Sequence, residues 1–131
     1  MPNESYPHFT REELATSPDR APNHYMDPDF MDLVETLRDA LGKPMRISSA
    51  YRSAEHNAKI SSTGANGPHT TGRAIDVVIS GSAAVELIRY ATALGFTGIG
   101  ISQKGDHARR FIHLDNLADA PGRPRPWIWS Y

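Results

Sequence analysis

His69 and Asp76 bracket a glycine-marked turn, GPHTTGRAID, and Asp76 sits inside the apolar run Ala74-Ile75-Asp76-Val77-Val78-Ile79. An ionised carboxylate in a buried strand is costly unless a cation or strong hydrogen bonds compensate it. A second interruption of the same kind occurs in RRFIHLDN. Read as a strand, that stretch turns Phe111, His113 and Asp115 to one face and Ile112 and Leu114 to the other. His69, Asp76 and His113 then make a His-Asp-His set. Three nitrogen and oxygen ligands leave a fourth tetrahedral position for water, the pattern of a catalytic rather than a structural zinc. Such a cation also compensates Asp76. The competing reading gives Asp76 a turn to cap, or an ion pair with Arg73 or Arg52, and makes the strand histidine a satisfied core or surface residue.

The elements that must hold these residues follow from local signals. Thr10 with Glu13 reads as a capping box opening a short helix. Pro18, Pro22 and Pro28 mark an irregular connector over 17–28. Asp27-Pro28 caps a second helix that Gly42 stops, with Phe30, Leu33, Val34, Leu37 and Leu41 on its inward stripe. Residues 45–49 read as a strand, Ser53 caps a short helix to Ile60, and the turn-rich SSTGANGP over 61–68 delivers His69. Residues 74–79 form the second strand. Ser82 caps a helix over 83–94 with Val85, Ile88, Ala91 and Leu94 inward, and Gly95 ends it. Two more strands fall at 96–101 and 110–114. The proline-rich tail RPRPWIWSY fits a sheet edge, not its centre. The expected fold is α+β, a small and mainly antiparallel sheet with helices packed on one side.

At 131 residues the length suits a single domain over 1–131, with a helix and connector over 1–28 and the core over 29–131. A formal charge of −1 argues against an electrostatic nucleic-acid binder; the nearest basic clusters are Arg109-Arg110 and Arg123/Arg125. Without cysteine, any metal must be held by histidines and carboxylates. MPNESYPHFTREEL has no basic-then-apolar pattern, and no apolar run approaches a membrane span. The expectations are synthesis in the cytoplasm without a signal peptide, a monomer, and no membrane or nucleic-acid partner.

PHTTGRAID resembles the Ser-x-His-x-x-Gly-x-Ala-x-Asp motif of the zinc D-Ala-D-Ala carboxypeptidases and endopeptidases, the peptidase M15 family, whose fold is shared with the hedgehog signalling domain. SAYRSAEHN at 49–57 resembles the family's Tyr-Arg-Ser segment, and FIHLD its second zinc-ligand strand. HFTREEL and RPWIWSY are similar to small phage and prophage members of the M15A branch. The resemblance implies zinc on His69, Asp76 and His113, and Arg52 at the scissile carbonyl or its oxyanion, with Ser49 and Tyr51 beside it at the substrate. Two positions depart from the pattern. Gly67 stands where many members have serine, and Arg110 where many carry the acid that acts as general base. A guanidinium stays protonated and cannot serve. Asp115, on the face of His113, is the expected base, with His107 and Asp106 of QKGDHARR in reserve, or His107 at the tetrahedral intermediate. Asp115 has a competing role in orienting a ligand histidine.

His56 reads as structural, and His8 and His24 as surface residues. Trp127, Trp129 and Tyr131 read as an aromatic edge closing the core, with a sugar-stacking shelf as the alternative. The resulting expectation is a zinc metallopeptidase that cleaves peptidoglycan stem peptides, in phage lysis or cell-wall remodelling, acting at the bacterial wall. The rival is a catalytically weak, zinc-containing module that binds the wall or belongs to a virion.

Overall fold

The alternation in residues 74–78 and 111–115 places two adjacent strands in the middle of a five-stranded sheet. In a computed structural model, residues 6–14, 26–52, 54–61 and 67–131 are described. The strands are β1 (Arg46–Ser49), β2 (Ala74–Val78), β3 (Gly98–Ser102), β4 (Phe111–Asp115) and β5 (Trp127–Ser130), in the order β1-β2-β4-β3-β5. The first three pairings in that order are antiparallel, and β3 with β5 is parallel. The expected α+β class and mainly antiparallel sheet hold, and the tail does form an edge strand.

Helices α1 (Arg11–Leu14), α2 (Pro28–Leu41), α3 (Ala54–Ile60) and α4 (Gly81–Leu94) complete the regular structure. The capping box forms as expected: Thr10 Oγ1 accepts from Glu13 N at 3.1 Å, while Glu13 Oε1 accepts from Thr10 N at 2.8 Å. Asp27 caps α2 through its bond from Phe30 N, and Gly42 ends it in the left-handed conformation. Ser53 and residues 62–66 lie outside the described residues, as do residues 15–25, which include His24 and most of the expected connector over 17–28.

One core lies between α1, α2 and α4 and one face of the sheet, while Ile60 of α3 lines the cavity. Phe30, Met31, Val34, Leu37 and Leu41 of α2 meet Ile75 and Val77 of β2, Ile99 of β3, and Ile112 and Leu114 of β4. Burial of each such large side chain is worth ~1.5–3 kcal/mol. Phe30 meets Phe96 edge-on with ring centroids 5.9 Å apart. Truncating Phe30 to alanine would therefore cost ~3–5 kcal/mol. The period of two then dictates the rest: with Ile75, Val77, Ile112 and Leu114 inward, Asp76, His113 and Asp115 must occupy the opposite face.

Helix α4 starts two residues earlier than expected. Ser80 takes the N-cap position rather than Ser82, and Ala84, Leu87 and Ala91 are the buried positions. Val85 is 57% exposed, while Ile88 and Leu94 are partly buried against the core. Apolar residues at 83, 84, 85, 87 and 88 allow two neighbouring stripes. Ala84, Leu87 and Ala91 form the stripe that packing buries.

Candidate active site

His69, Asp76 and His113 come together on the open face of the sheet, each buried. Register puts Asp76 directly opposite His113 across β2 and β4. His69 arrives on a 3-10 turn, Pro68–Thr71, which Gly72 closes at φ +74 before the chain enters β2. His113 Nδ1 lies 3.1 Å and His69 Nε2 3.2 Å from the same oxygen, Asp76 Oδ1.

The other nitrogen of each ring fixes its tautomer. His69 Nδ1 is 2.8 Å from the Ala50 carbonyl oxygen, which can only accept, so that nitrogen carries the proton. His113 Nε2 donates in the same way to Asp115 Oδ2 at 2.7 Å. In the neutral rings the remaining nitrogens are therefore acceptors, and both converge on a carboxylate oxygen, itself an acceptor. Three acceptors can share that space only with a cation or extra protons between them. Two ligands at tetrahedral angles about 2.1 Å from one ion stand roughly 3.4 Å apart, close to the spacing found. The set fits a small cation that takes nitrogen and oxygen donors.

The charge balance without metal agrees. Burial pushes the Asp76 carboxyl up, but the His69 charge and hydrogen bonds from both histidines hold it below the usual carboxylate range. Burial depresses the His113 imidazole, yet its bonds to Asp115 and Asp76 raise it above the ordinary histidine value.

Arg52 stands beside the triad. Its Nε donates to Ser49 Oγ at 3.0 Å and its Nη1 to Asn57 Oδ1 at 3.1 Å, leaving Nη2 3.7 Å from Asp76 Oδ2. The backbone N–H of Arg52 also donates to the His69 carbonyl at 3.0 Å, tying its segment to the ligand turn. A register shift between Ile47 and Ser49 seats Ser49 opposite Asp76, an irregularity that re-aims a side chain beside a site. Ser49 thus meets the cavity through Arg52 and does not line it. Tyr51 is half-buried against the core and does not line it either. Arg73, the other proposed partner of Asp76, donates instead to Asn116.

Asp115 does not fit the position of a general base. It is 0% exposed, and both its oxygens are engaged: Oδ2 by His113 Nε2 and Arg125 Nη2, Oδ1 by Arg125 Nε and Leu117 N. Burial pushes its carboxyl up, but the His113 bond and then Arg125 hold it below the usual range. It lies on the far side of the His113 ring from Asp76. His107 is also misplaced for catalysis. It starts a 3-10 turn, His107–Arg109, is exposed, and lies 3.3 Å from Ser80 Oγ, outside the cavity. Asp106 is exposed beside it.

A cavity of 680 Å³ opens over the triad. Its lining includes Arg52, His69, Asp76, Phe111, His113, Arg123, Arg125, Trp127, Trp129 and Tyr131. Trp127, Trp129 and Tyr131 therefore wall the site instead of closing the core. Trp129 packs on the His113 ring at 5.0 Å, and Tyr131 on Phe111 at 5.1 Å.

A profile of the peptidase M15 family matches residues 7–115. The chain belongs to the peptidase M15 family. Its curated relatives include the peptidoglycan L,D-endopeptidase MepK of Escherichia coli (strain K12) and of Shigella flexneri, each 29% identical over 108 residues. That alignment covers 78% of this chain and 54% of each relative, so the chain spans about half the length of the curated relatives it matches. Among the described residues of this M15 chain, no helix is long and apolar enough to cross a membrane.

Three features of this M15 site escaped the sequence reading. Arg125, from the proline-rich tail, becomes the partner of Asp115. Gly98 and Gly100 of β3 form the floor: a Cβ on Gly98 would collide with the Asp115 carboxylate, and one on Gly100 would lie 2.7 Å from Trp129 Nε1. Glycines alternating along GIGIS were the available signal, since glycine inside a strand often marks close approach of another group.

Proposed function

We propose that this M15 chain is a zinc-dependent peptidase cleaving the stem peptides of peptidoglycan. The observation that carries this reading is the convergence of three acceptors, His69 Nε2, His113 Nδ1 and Asp76 Oδ1, at the base of an aromatic-walled cavity. M15 peptidases generally depend on zinc, and these three residues would hold it. Zinc, when bound, supplies Lewis-acid polarisation of the scissile carbonyl and lowers the pKa of its water towards neutrality.

The remaining work falls to the chain itself. Arg52, pinned by Ser49 and Asn57, keeps a permanently charged guanidinium beside the triad, where it binds the developing oxyanion. Asp115 holds His113 with Nδ1 directed to the site. The aromatic wall excludes water and lines the path of the peptide. The relatives are L,D-endopeptidases by name, which favours an endopeptidase over a D,D-carboxypeptidase. The likeness of HFTREEL and RPWIWSY to phage members supports a role in phage lysis, with wall remodelling as the other setting.

Digestion of purified peptidoglycan by zinc-loaded protein, followed by mass spectrometry of the fragments, tests the reading and names the bond. Absence of new peptide termini from the zinc-loaded protein, or cleavage that persists in a chelator, refutes it. A second reading, wall binding without turnover, draws on one observation: among the described residues, Asp76 is the only carboxylate lining the cavity. Co-sedimentation with intact walls in the absence of cleavage would select it.

A further inference from the structure

We propose that Arg125 is a positioning residue of the metal centre, acting through Asp115 to keep the His113 ring turned with Nδ1 towards Asp76. The inference rests on the zinc-peptidase reading and extends it to a residue ten positions beyond the family's matched segment. Arg125 meets Asp115 in a two-point contact, Nε to Oδ1 at 2.9 Å and Nη2 to Oδ2 at 2.8 Å. Its third nitrogen, Nη1, donates to the Pro124 carbonyl at 2.8 Å. The Arg125 side chain is only 5% exposed.

This contact fixes a plane. A carboxylate held at both oxygens by a guanidinium cannot rotate, whereas a point charge such as ammonium would leave rotation open. Asp115 Oδ2, so fixed, accepts from His113 Nε2, and that bond sets both the ring angle and the tautomer. Trp129 completes the arrangement: its ring lies 5.2 Å from the guanidinium carbon and 5.0 Å from the His113 ring centroid. Gly98 leaves the space into which the carboxylate fits. Among the described residues, the hydrogen bonds and ring contact of the Arg125 guanidinium lead to Asp115, to Trp129 and to its own loop. Among the described residues, Arg125 touches the cavity and reaches His113 through Asp115 and Trp129.

An alternative role for Arg125 is to anchor the tail that carries β5. Its backbone N–H donates to Asp119 Oδ1 at 3.0 Å, a bond that survives any side-chain change. The two roles separate by experiment. Zinc affinity is measured on the full chain by competition with a chromogenic chelator, beside the melting midpoint of the metal-free protein, for Arg125→Gln, Arg125→Lys, Asp115→Asn and the double variant Asp115→Asn/Arg125→Gln. Loss of a partner that orients a ligand weakens metal affinity by about 10–100-fold. That loss is expected for Arg125→Gln and for Asp115→Asn, with little further loss in the double variant and partial recovery in Arg125→Lys.

Wild-type zinc affinity in Arg125→Gln, accompanied by a lower melting midpoint, makes Arg125 a tail anchor and overturns the proposal. So do losses that multiply in the double variant. Where Arg125→Gln fails to fold, ¹⁵N shifts of the His113 ring in Arg125→Lys carry the decision: a persisting, sharp Nε2–H tautomer equal to wild type overturns it, and tautomer mixing supports it. Failure of the wild type itself to bind zinc would instead refute the underlying peptidase reading.

Discussion

Gly98→Ala tests the arrangement under His113 with one added methyl group. An ideal Cβ at this position would collide with three atoms, all of them in the Asp115 carboxylate. The strand backbone cannot yield easily, because Gly98 pairs with Asp115 on one side and Trp127 on the other. The carboxylate must therefore leave its bonds to His113 Nε2 and Arg125. Breaking a buried, hydrogen-bonded ion pair costs ~3–5 kcal/mol. With an unfolding entropy of ~2.1 cal/mol/K per residue, a chain of 131 residues changes its melting midpoint by ~3.6 °C per kcal/mol. The expected drop is thus ~11–18 °C, read by circular dichroism on the metal-free protein. Zinc affinity should fall with it. The same substitution in an Asp115→Ala background meets none of those three atoms and should cost under about 1 kcal/mol, which exposes the coupling directly. A Gly98→Ala midpoint within 3 °C of wild type, or an equal cost in both backgrounds, would refute this account of the floor.

The same geometry sets the outcome of other perturbations. His69→Ala should lose high-affinity zinc, and chelation of the wild type should lower its melting midpoint; metal analysis that finds full occupancy in a His69→Ala/His113→Ala double variant refutes the ligand set. Arg52→Lys keeps the charge but loses the fork that spans Ser49 and Asn57, so turnover should fall by on the order of 10²-fold with zinc retained, whereas His107→Ala should leave turnover near wild type; unchanged turnover in Arg52→Lys, or a dead His107→Ala, reverses those assignments. For the metal-free protein, the raised His113 pKa gives stability that is full below about pH 6.5 and is lost as pH rises through the folded value, while the depressed Asp76 and Asp115 values give stability present above about pH 4 and lost as pH falls. Because zinc must displace the His113 proton, zinc affinity should rise with pH across the neutral range; calorimetric titration that shows no such rise contradicts the proton assignment.

The sequence by itself determined the local elements and which side of the sheet would carry chemistry. Asp27 and Gly42 bound α2 because capping chemistry is local. Alternation in residues 74–78 and 111–115 separated Ile75, Val77, Ile112 and Leu114 from Asp76, His113 and Asp115, because the strand period of two admits no other arrangement once the apolar set is buried. The grouping of Asp76 and His113 was legible for the same reason: each interrupted an apolar strand that demanded a compensating partner, and the glycine-marked turn before Asp76 supplied His69.

Tertiary structure decided what each neighbour does. Asp115 shares the face of His113, yet which ring nitrogen it meets depends on ring rotation, which no spacing encodes. Its engagement by Arg125 required the tail to run parallel to β3, a pairing set by the route of the chain between 116 and 126. That same pairing brought Trp129 over Gly100 and onto His113, turning an aromatic tail into the wall of the cavity. The inward face of α4 was likewise chosen by packing, which buries Ala84, Leu87 and Ala91 and leaves Val85 exposed. Period and capping are properties of a few adjacent residues. Ring orientation, ion-pair choice and close approach are properties of groups far apart in the chain, and only packing brings them together.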